Sequence, residues 1–243
     1  MSSNLKDANT GLSRSWKVSS SRTPFFSGGK AELIEGDSGD YLVCMHDENI
    51  KVVDWGTGET VLTLLKENDE DEVNDPIVSF TMHPTKFEMV VATSSGLIQH
   101  YAQNPDKEEK SFLLVRSIKA HTMPILTMCY DPTGTLVATG STDHSVKVWD
   151  VEKGYCTHSF REHQEAVSFL RFHPDPNNLR LISAAHDSSI RVWDLIDSKC
   201  VASYREHLSL PTAVDWASDK YLMISVGRDK VSIQLLAATI IID

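Results

Sequence analysis

One short pattern recurs along this chain of 243 residues, and the recurrence limits the possible folds more than any other feature. The pattern reads GSTDHSVKVWD at residues 140–150 and AAHDSSIRVWD at residues 184–194. Weaker versions are CMHDENIKVVD, ATSSGLIQHYA and VGRDKVSIQLL, which start at residues 44, 92 and 226. Aligned on the first aspartate, or on the serine that replaces it, the copies fall at positions 47, 95, 143, 187 and 229. An element copied this often is typical of a repeated structural unit rather than of a single active site.

Turn signals divide each repeat into four short strands. In the third repeat the segments PILTMCY, TLVAT, SVKVW and YCTHSF are separated by turns such as DPTG, in which proline and glycine favour chain reversal. Repeats of roughly 40–45 residues that end in Trp-Asp are typical of WD-repeat propeller blades. We therefore predict an all-β fold, a WD-repeat β-propeller of about five four-stranded blades in an open or incomplete ring.

The repeats also set the expected domain limits. Residues 1–23 are predicted to be a disordered or edge-strand leader, and residues 24–243 the WD-repeat propeller. The spacing of the pattern places the blades at about residues 28–66, 76–119, 121–162, 163–206 and 207–243, the last of them incomplete.

Composition narrows the classes of function. The formal net charge of −11 disfavours a protein whose whole surface binds nucleic acid, because phosphate binding needs clustered lysine and arginine. No apolar run approaches the roughly 20 residues of a membrane-spanning helix. The four cysteines lack metal-ligand spacing, and we expect them to be small buried side chains in strands.

Three repeats share a polar set with fixed spacing. In each, a histidine precedes the first strand, a hydroxyl lies in the second strand and an aspartate lies in the tight turn; two sets add a tryptophan in the third strand. The sets are His121, Thr139, Asp143 and Trp149; His163, Ser183, Asp187 and Trp193; and His207, Ser225 and Asp229.

These sets resemble the hydrogen-bond network of WD-repeat families. The resemblance implies that the aspartate accepts a proton from the histidine, which contacts the hydroxyl, which in turn reaches the indole N–H. Three copies at a fixed period would mean three active sites if they were catalytic. We therefore predict a structural role for all of them, with no catalytic, metal-binding or cofactor-binding residue in the chain.

Four longer stretches point to a particular family. They are RTPFFSGGKAEL (22–33), TMCYDPTGTLVATG (127–140), REHQEAVSFLRFHPDPNNLRLISAAHDSSIRVWDL (161–195) and SVGRDKVSI (225–233). In this order they resemble the N-terminal part of the transducin-beta-like WD-repeat subunits of the small-subunit processome, over about residues 17–233. Family members carry a second propeller and a helical region, and the resemblance ends near Ile233. The sequence is therefore expected to be a fragment, an alternative splice product or the result of a gene-model error.

The resemblance implies a non-catalytic scaffold in ribosome biogenesis and small-subunit rRNA processing, located in the nucleus and nucleolus. The implied partners are other WD-repeat processome subunits, with pre-rRNA and small nucleolar RNA contacted directly or indirectly. No membrane and no small-molecule substrate are implied. Loops 67–75, with six acidic residues, and 103–110 are the candidate partner surfaces.

Two alternatives stay open at this point. One is a WD-repeat adaptor of a ubiquitin ligase, although no F-box segment precedes the repeats. The other is a cytoplasmic signalling scaffold similar to a G-protein beta subunit, although residues 1–23 show no heptad pattern. An enzyme is the third and least favoured class.

Overall fold

A computed structural model describes most of the repeat region. The described residues are 30–36, 39–46, 49–64, 75–104, 111–217, 222–230 and 232–236. The predicted leader, most of the two candidate loops and the segment 237–243 therefore lie outside the described residues. Within the described part of the chain, no helix is long and apolar enough to cross a membrane.

All regular structure in the described residues is β-strand. The strands are β1 (Ala31–Gly36), β2 (Gly39–His46), β3 (Asn49–Asp54), β4 (Thr60–Leu64), β5 (Ile77–Met82), β6 (Glu88–Thr93), β7 (Leu97–Gln103), β8 (Phe112–Lys119), β9 (Ile125–Tyr130), β10 (Leu136–Ser141), β11 (Val146–Asp150), β12 (Tyr155–Phe160), β13 (Val167–Phe172), β14 (Arg180–Ala185), β15 (Ile190–Asp194), β16 (Lys199–Tyr204), β17 (Pro211–Trp216), β18 (Leu222–Gly227) and β19 (Ser232–Leu236).

The strands form five antiparallel sheets in chain order, which we call blades 1 to 5. Blades 1 to 4 each hold four strands in sequential order, and blade 5 holds three among the described residues. The predicted all-β propeller with about five blades is confirmed. The tight turns that follow β10, β14 and β18 join neighbouring strands of one sheet, which is why each copy of the sequence pattern crosses two strands.

Apolar side chains fill the spaces between successive blades. The core between blades 3 and 4 contains Val148, Phe160, Leu170 and Trp193, and similar clusters lie between the other neighbouring blades. Inner strands carry apolar residues on both faces because a blade packs on each side of them. The first strands follow one another around an axis: β1 packs on β5, β5 on β9, β9 on β13 and β13 on β17.

The first strands surround a central cavity of about 1050 Å³. Lys30 in blade 1 reaches across it and donates to the carbonyl of Met128 in blade 3 at 2.7 Å. Glu32 accepts a hydrogen bond from the backbone N–H of Met82 in blade 2 at 2.6 Å. These two bonds join the start of blade 1 to blade 2 and to blade 3.

The expectation that every cysteine is buried is wrong. Cys44 is buried in the second strand of blade 1, but Cys156 is exposed, and Cys129 and Cys200 are half-buried. Cys156 lies on β12, the outermost strand of its blade, where the sheet edge faces solvent. The spacing of Cys156 and Cys200 reflects equivalent positions on outer strands rather than a shared core.

Candidate functional site

The polar set of blade 3 forms one connected network. His121 precedes β9, and its Nδ1 lies 3.0 Å from Asp143 Oδ2 in the turn between β10 and β11. Its Nε2 lies 2.8 Å from Thr139 Oγ1 on β10, and the indole Nε1 of Trp149 on β11 donates to the same hydroxyl at 3.0 Å. A loop and two strands are therefore joined through one buried imidazole.

The protonation of this network follows from its surroundings. Burial lowers the pKa of His121 below its ordinary value of 6.5, in spite of the nearby Asp143. The imidazole is therefore neutral at pH 7, with its one ring proton on Nδ1 facing the carboxylate. Thr139 then donates to Nε2 and accepts from the Trp149 indole, so the two ring nitrogens of His121, the Thr139 hydroxyl and the indole N–H each have a partner.

The Asp143 carboxyl is held ionised. Burial alone would raise the pKa of this carboxyl, but hydrogen bonds from Ser145 and the neighbouring His121 lower it to about 2. Asp187 in blade 4 behaves alike: burial opposes ionisation, but the backbone N–H of Gln164 and the bonds from Ser189 lower its pKa to about 2. Each ionised carboxylate thus accepts hydrogen bonds from the N–H and hydroxyl of a serine within its own tight turn.

Both shifts make the folded state lose stability in acid. A carboxyl with a depressed folded pKa contributes stability above its ordinary value of 3.8, and that contribution disappears as the pH falls from 3.8 toward 2. The buried His121 and His163 imidazoles also make the folded state less stable as the pH falls, and their effect begins at a higher pH. Below pH 6.5 these histidines are protonated in the unfolded chain but stay neutral in the folded one, which favours unfolding.

Blade 4 repeats the arrangement with serine in place of threonine. His163 Nδ1 lies 3.3 Å from Asp187 Oδ2, and Nε2 lies 2.6 Å from Ser183 Oγ. Trp193 Nε1 donates to that hydroxyl at 2.8 Å, and its indole is fully buried. The structure thus brings His163, Ser183, Asp187 and Trp193 together in one connected network.

Blade 5 keeps the histidine, the hydroxyl and the aspartate. His207 Nδ1 lies 2.9 Å from Asp229 Oδ2, and its Nε2 lies 2.8 Å from Ser225 Oγ. Leu235 pairs with Met223 in the register that Trp193 has with Leu181 in blade 4, so leucine occupies the tryptophan position. The Ser225 hydroxyl lacks an indole donor at this position.

One member of the network was missed by the sequence argument. Ser145 is fully buried, lies 3.1 Å from His121 Nδ1 and donates to Asp143. Ser189 does the same for His163 and Asp187 in blade 4. The sequence signal that could have identified this serine is its position, two residues after Asp143 and Asp187. Blade 5 has Val231 at the equivalent position.

Blade 2 joins the segment before its first strand to its tight turn through an aspartate. Asp75 lies two residues before β5, whereas the histidines of blades 3 to 5 lie four residues before their first strands, and the turn after β6 supplies serines. The Asp75 carboxylate accepts from Ser94 Oγ at 2.9 Å and from the Ser95 N–H and hydroxyl at 2.7 Å each. Asp75 was assigned to the acidic candidate surface, but its carboxylate is engaged within the blade; residues 67–74 lie outside the described residues.

The chemistry available to these sets is limited by burial. Thr139 and Ser183 are fully buried, and each hydroxyl is already bonded to both a histidine and an indole. A hydroxyl in that position cannot approach a substrate without opening the blade. Among the described residues, no group of three or more His, Cys, Asp or Glu side chains is arranged to hold a metal ion.

Comparison with known proteins agrees with the geometry. The model of the family "WD domain, G-beta repeat" matches residues 112–150 and 154–194. Each match covers the last strand of one blade and the first three strands of the next, from blade 2 into blade 3 and from blade 3 into blade 4. Among solved structures, a chain in the "Crystal Structure of Mitotic Checkpoint Complex" superposes with a TM-score of 0.64 at 16% identity. That match covers 80% of this chain and 56% of the other, and it supports the fold alone.

Curated relatives extend the similarity to most of the chain. "Transducin beta-like protein 3" is 35% identical in Bos taurus and 36% in Homo sapiens, over 86% of this chain and 25% and 24% of those proteins. "U3 small nucleolar RNA-associated protein 13" of Saccharomyces cerevisiae is 29% identical over 65% of this chain and 18% of its own length. The chain thus spans about a quarter of the first relatives. With five consecutive blades and three histidine-centred networks, these matches show that the chain is a WD-repeat β-propeller protein similar to the transducin beta-like proteins, as its sequence motifs indicate.

Proposed function

We propose that this chain is a non-catalytic WD-repeat scaffold in ribosome biogenesis, acting in small-subunit rRNA processing within the small-subunit processome. The observation that carries the proposal is the shared similarity, over 86% and 65% of the chain, to a transducin beta-like protein and to a protein named for its association with U3 small nucleolar RNA. Its place would be the nucleus, in the nucleolus. Its partners would be other WD-repeat subunits, with pre-rRNA and small nucleolar RNA reached directly or through them.

The non-catalytic part of the proposal is supported by how the polar side chains are used. The histidine-centred sets recur in three blades, their hydroxyls are buried, and their carboxylates close turns. A repeated internal brace leaves function to the loops at the rims, because the blade faces are occupied by packing. Protein binding through the loops at the rims of the propeller is the activity that a scaffold needs.

Affinity purification of the tagged chain from nuclear extract tests the proposal. We expect U3 small nucleolar RNA and WD-repeat processome proteins to be enriched, and a ribonuclease-treated sample to separate direct protein contacts from those that RNA maintains. The matched control is Asp143→Ala, which we expect to weaken the fold and so reduce the whole set of partners together. Enrichment of ubiquitin-ligase subunits or of cytoplasmic signalling proteins, without U3 RNA, would contradict the proposal.

A further inference from the structure

The tight turn of blade 5 differs from the equivalent turns of blades 3 and 4 in what it shows to solvent. In blades 3, 4 and 5 the residue after the loop histidine donates its backbone N–H to the turn aspartate. This hydrogen bond holds the backbone of that residue next to the turn. That residue is Thr122 in blade 3, Gln164 in blade 4 and Leu208 in blade 5. Leu208 is 93% exposed, the largest exposure among the exposed large hydrophobic residues of the described chain.

The two residues that flank the turn aspartate also differ. They are Thr142 and His144 in blade 3, His186 and Ser188 in blade 4, and Arg228 and Lys230 in blade 5. Both blade 5 cations are exposed, and neither has an ion pair within the described residues. Arg205, three residues before Leu208, is exposed as well, and Glu206 is the one exposed acid between them.

Hydrogen bonds of the blade 5 turn hold the backbone of Leu208 in place. Leu208 N–H donates to Asp229 Oδ2 at 3.0 Å, and the Arg228 N–H donates to the Leu210 carbonyl at 3.0 Å. The Asp229 side chain is only 7% exposed because it faces His207, so its charge is turned away from the cations' outer side. An exposed leucine is thereby bonded through its backbone to the residue that two exposed cations flank in sequence, in a chain whose net charge is −11.

The left-handed backbone at Lys230 is a feature of this turn in all three blades. Lys230 has φ 62°, and the equivalent residues His144 and Ser188 have φ 66° and 60°. Since histidine and serine occupy the same conformation, the turn does not itself require a cation at position 230.

We propose that Leu208, Arg205, Arg228 and Lys230 form a docking surface for an acidic peptide segment of a partner protein, one that places an apolar side chain against Leu208 and carboxylates against the cations. An apolar side chain near charged residues matches the apolar core and polar rim of protein interfaces, arginine is frequent among the residues that dominate binding, and complementary charge selects the partner. The inference does not depend on which assembly the chain belongs to.

Selection from a phage-displayed library of random peptides against the full chain tests this surface. We expect enriched peptides to combine Asp or Glu with an aliphatic or aromatic residue. Leu208→Ala and Arg228→Ala should each weaken their binding about tenfold, which is typical of a hot-spot residue. Lys230→Gly should also weaken binding while leaving the melting temperature unchanged or higher, because glycine relieves the left-handed strain.

Blade 4 supplies the matched controls. Gln164→Ala and Ser188→Gly alter the equivalent positions of a turn that shares its backbone hydrogen bonds with the blade 5 turn, and they should leave peptide binding unchanged. The proposal is overturned if no peptide is enriched, if the enriched peptides lack acidic residues, or if the blade 5 and blade 4 variants bind them equally. Binding of an oligouridine RNA that is lost in the same blade 5 variants would likewise overturn it in favour of a phosphate-binding surface.

Discussion

Removing the Asp143 carboxylate should destabilise the protein without touching any reaction. Asp143 accepts hydrogen bonds from His121 Nδ1, from the Ser145 N–H and hydroxyl, and from the exposed Thr122 N–H. Three of these donors, His121 Nδ1–H and the N–H and hydroxyl of Ser145, lie in buried residues. In Asp143→Ala each is left without its acceptor, at a cost of about 1–3 kcal/mol per group.

The geometry limits that cost. Ser145 Oγ lies 3.1 Å from His121 Nδ1 and can accept the proton that Asp143 no longer takes, so we expect a net loss of about 2–3 kcal/mol. For a domain of this size that corresponds to a fall in melting temperature of about 5–10 °C. Thermal and urea unfolding followed by circular dichroism measure it.

The control is Asp197→Ala on a solvent-exposed turn. The Asp197 side chain is 55% exposed and pairs with Lys199 at 2.8 Å, so its removal should change the unfolding free energy by less than about 0.5 kcal/mol. Asp143→Asn, which keeps an oxygen acceptor, should fall between the two. An Asp143→Ala protein that melts like the parent but binds its partners differently would refute the structural reading of the set.

Three further outcomes are expected. The unfolding free energy should decline as the pH falls below 6.5 and again below 3.8, which urea titrations across that range would detect; a stability maximum near pH 4 would contradict the assignment of neutral buried imidazoles. Gly134→Ala should cost several kcal/mol, because Gly134 has φ 76° and its new methyl would overlap the His83 ring of blade 2; His83→Ala in the same chain should restore part of the loss in a double-mutant cycle. Asp75→Ala should destabilise the chain by about 1–3 kcal/mol, whereas Glu70→Ala should not, and equal effects would show that Asp75 acts with the acidic loop rather than with Ser95.

The repeat pattern predicted the fold because each blade is specified locally. The strands of a blade are sequential neighbours joined by short turns, so the residues that pair, such as Thr139 and Lys147, lie close together in the sequence. The histidine sets were predictable for a related reason: their spacing of 22 to 24 residues from His to Asp is nearly constant, so a shared role was visible in the sequence.

Other features could not be predicted because no sequence period encodes them. In blade 2 the turn is bonded by Asp75, two residues before β5, and not by a histidine four residues before the strand, and Asp75 was hidden in a run of acids. The exposure of Cys156 depends on β12 being the outer strand, which repeat spacing does not distinguish from an inner one. The exposure of Leu208 depends on how its N–H is held by Asp229, a contact between loops that are distant in sequence.

The central proposal is that this propeller acts inside a ribosomal precursor particle. Gradient sedimentation of nuclear extract that contains the tagged chain measures this most directly, with U3 small nucleolar RNA detected in the same fractions. We predict that the chain and U3 RNA move together in large particles, and that both shift to lighter fractions after ribonuclease treatment. A chain that stays in light fractions, apart from U3 RNA, while the endogenous particles sediment normally would contradict the proposal.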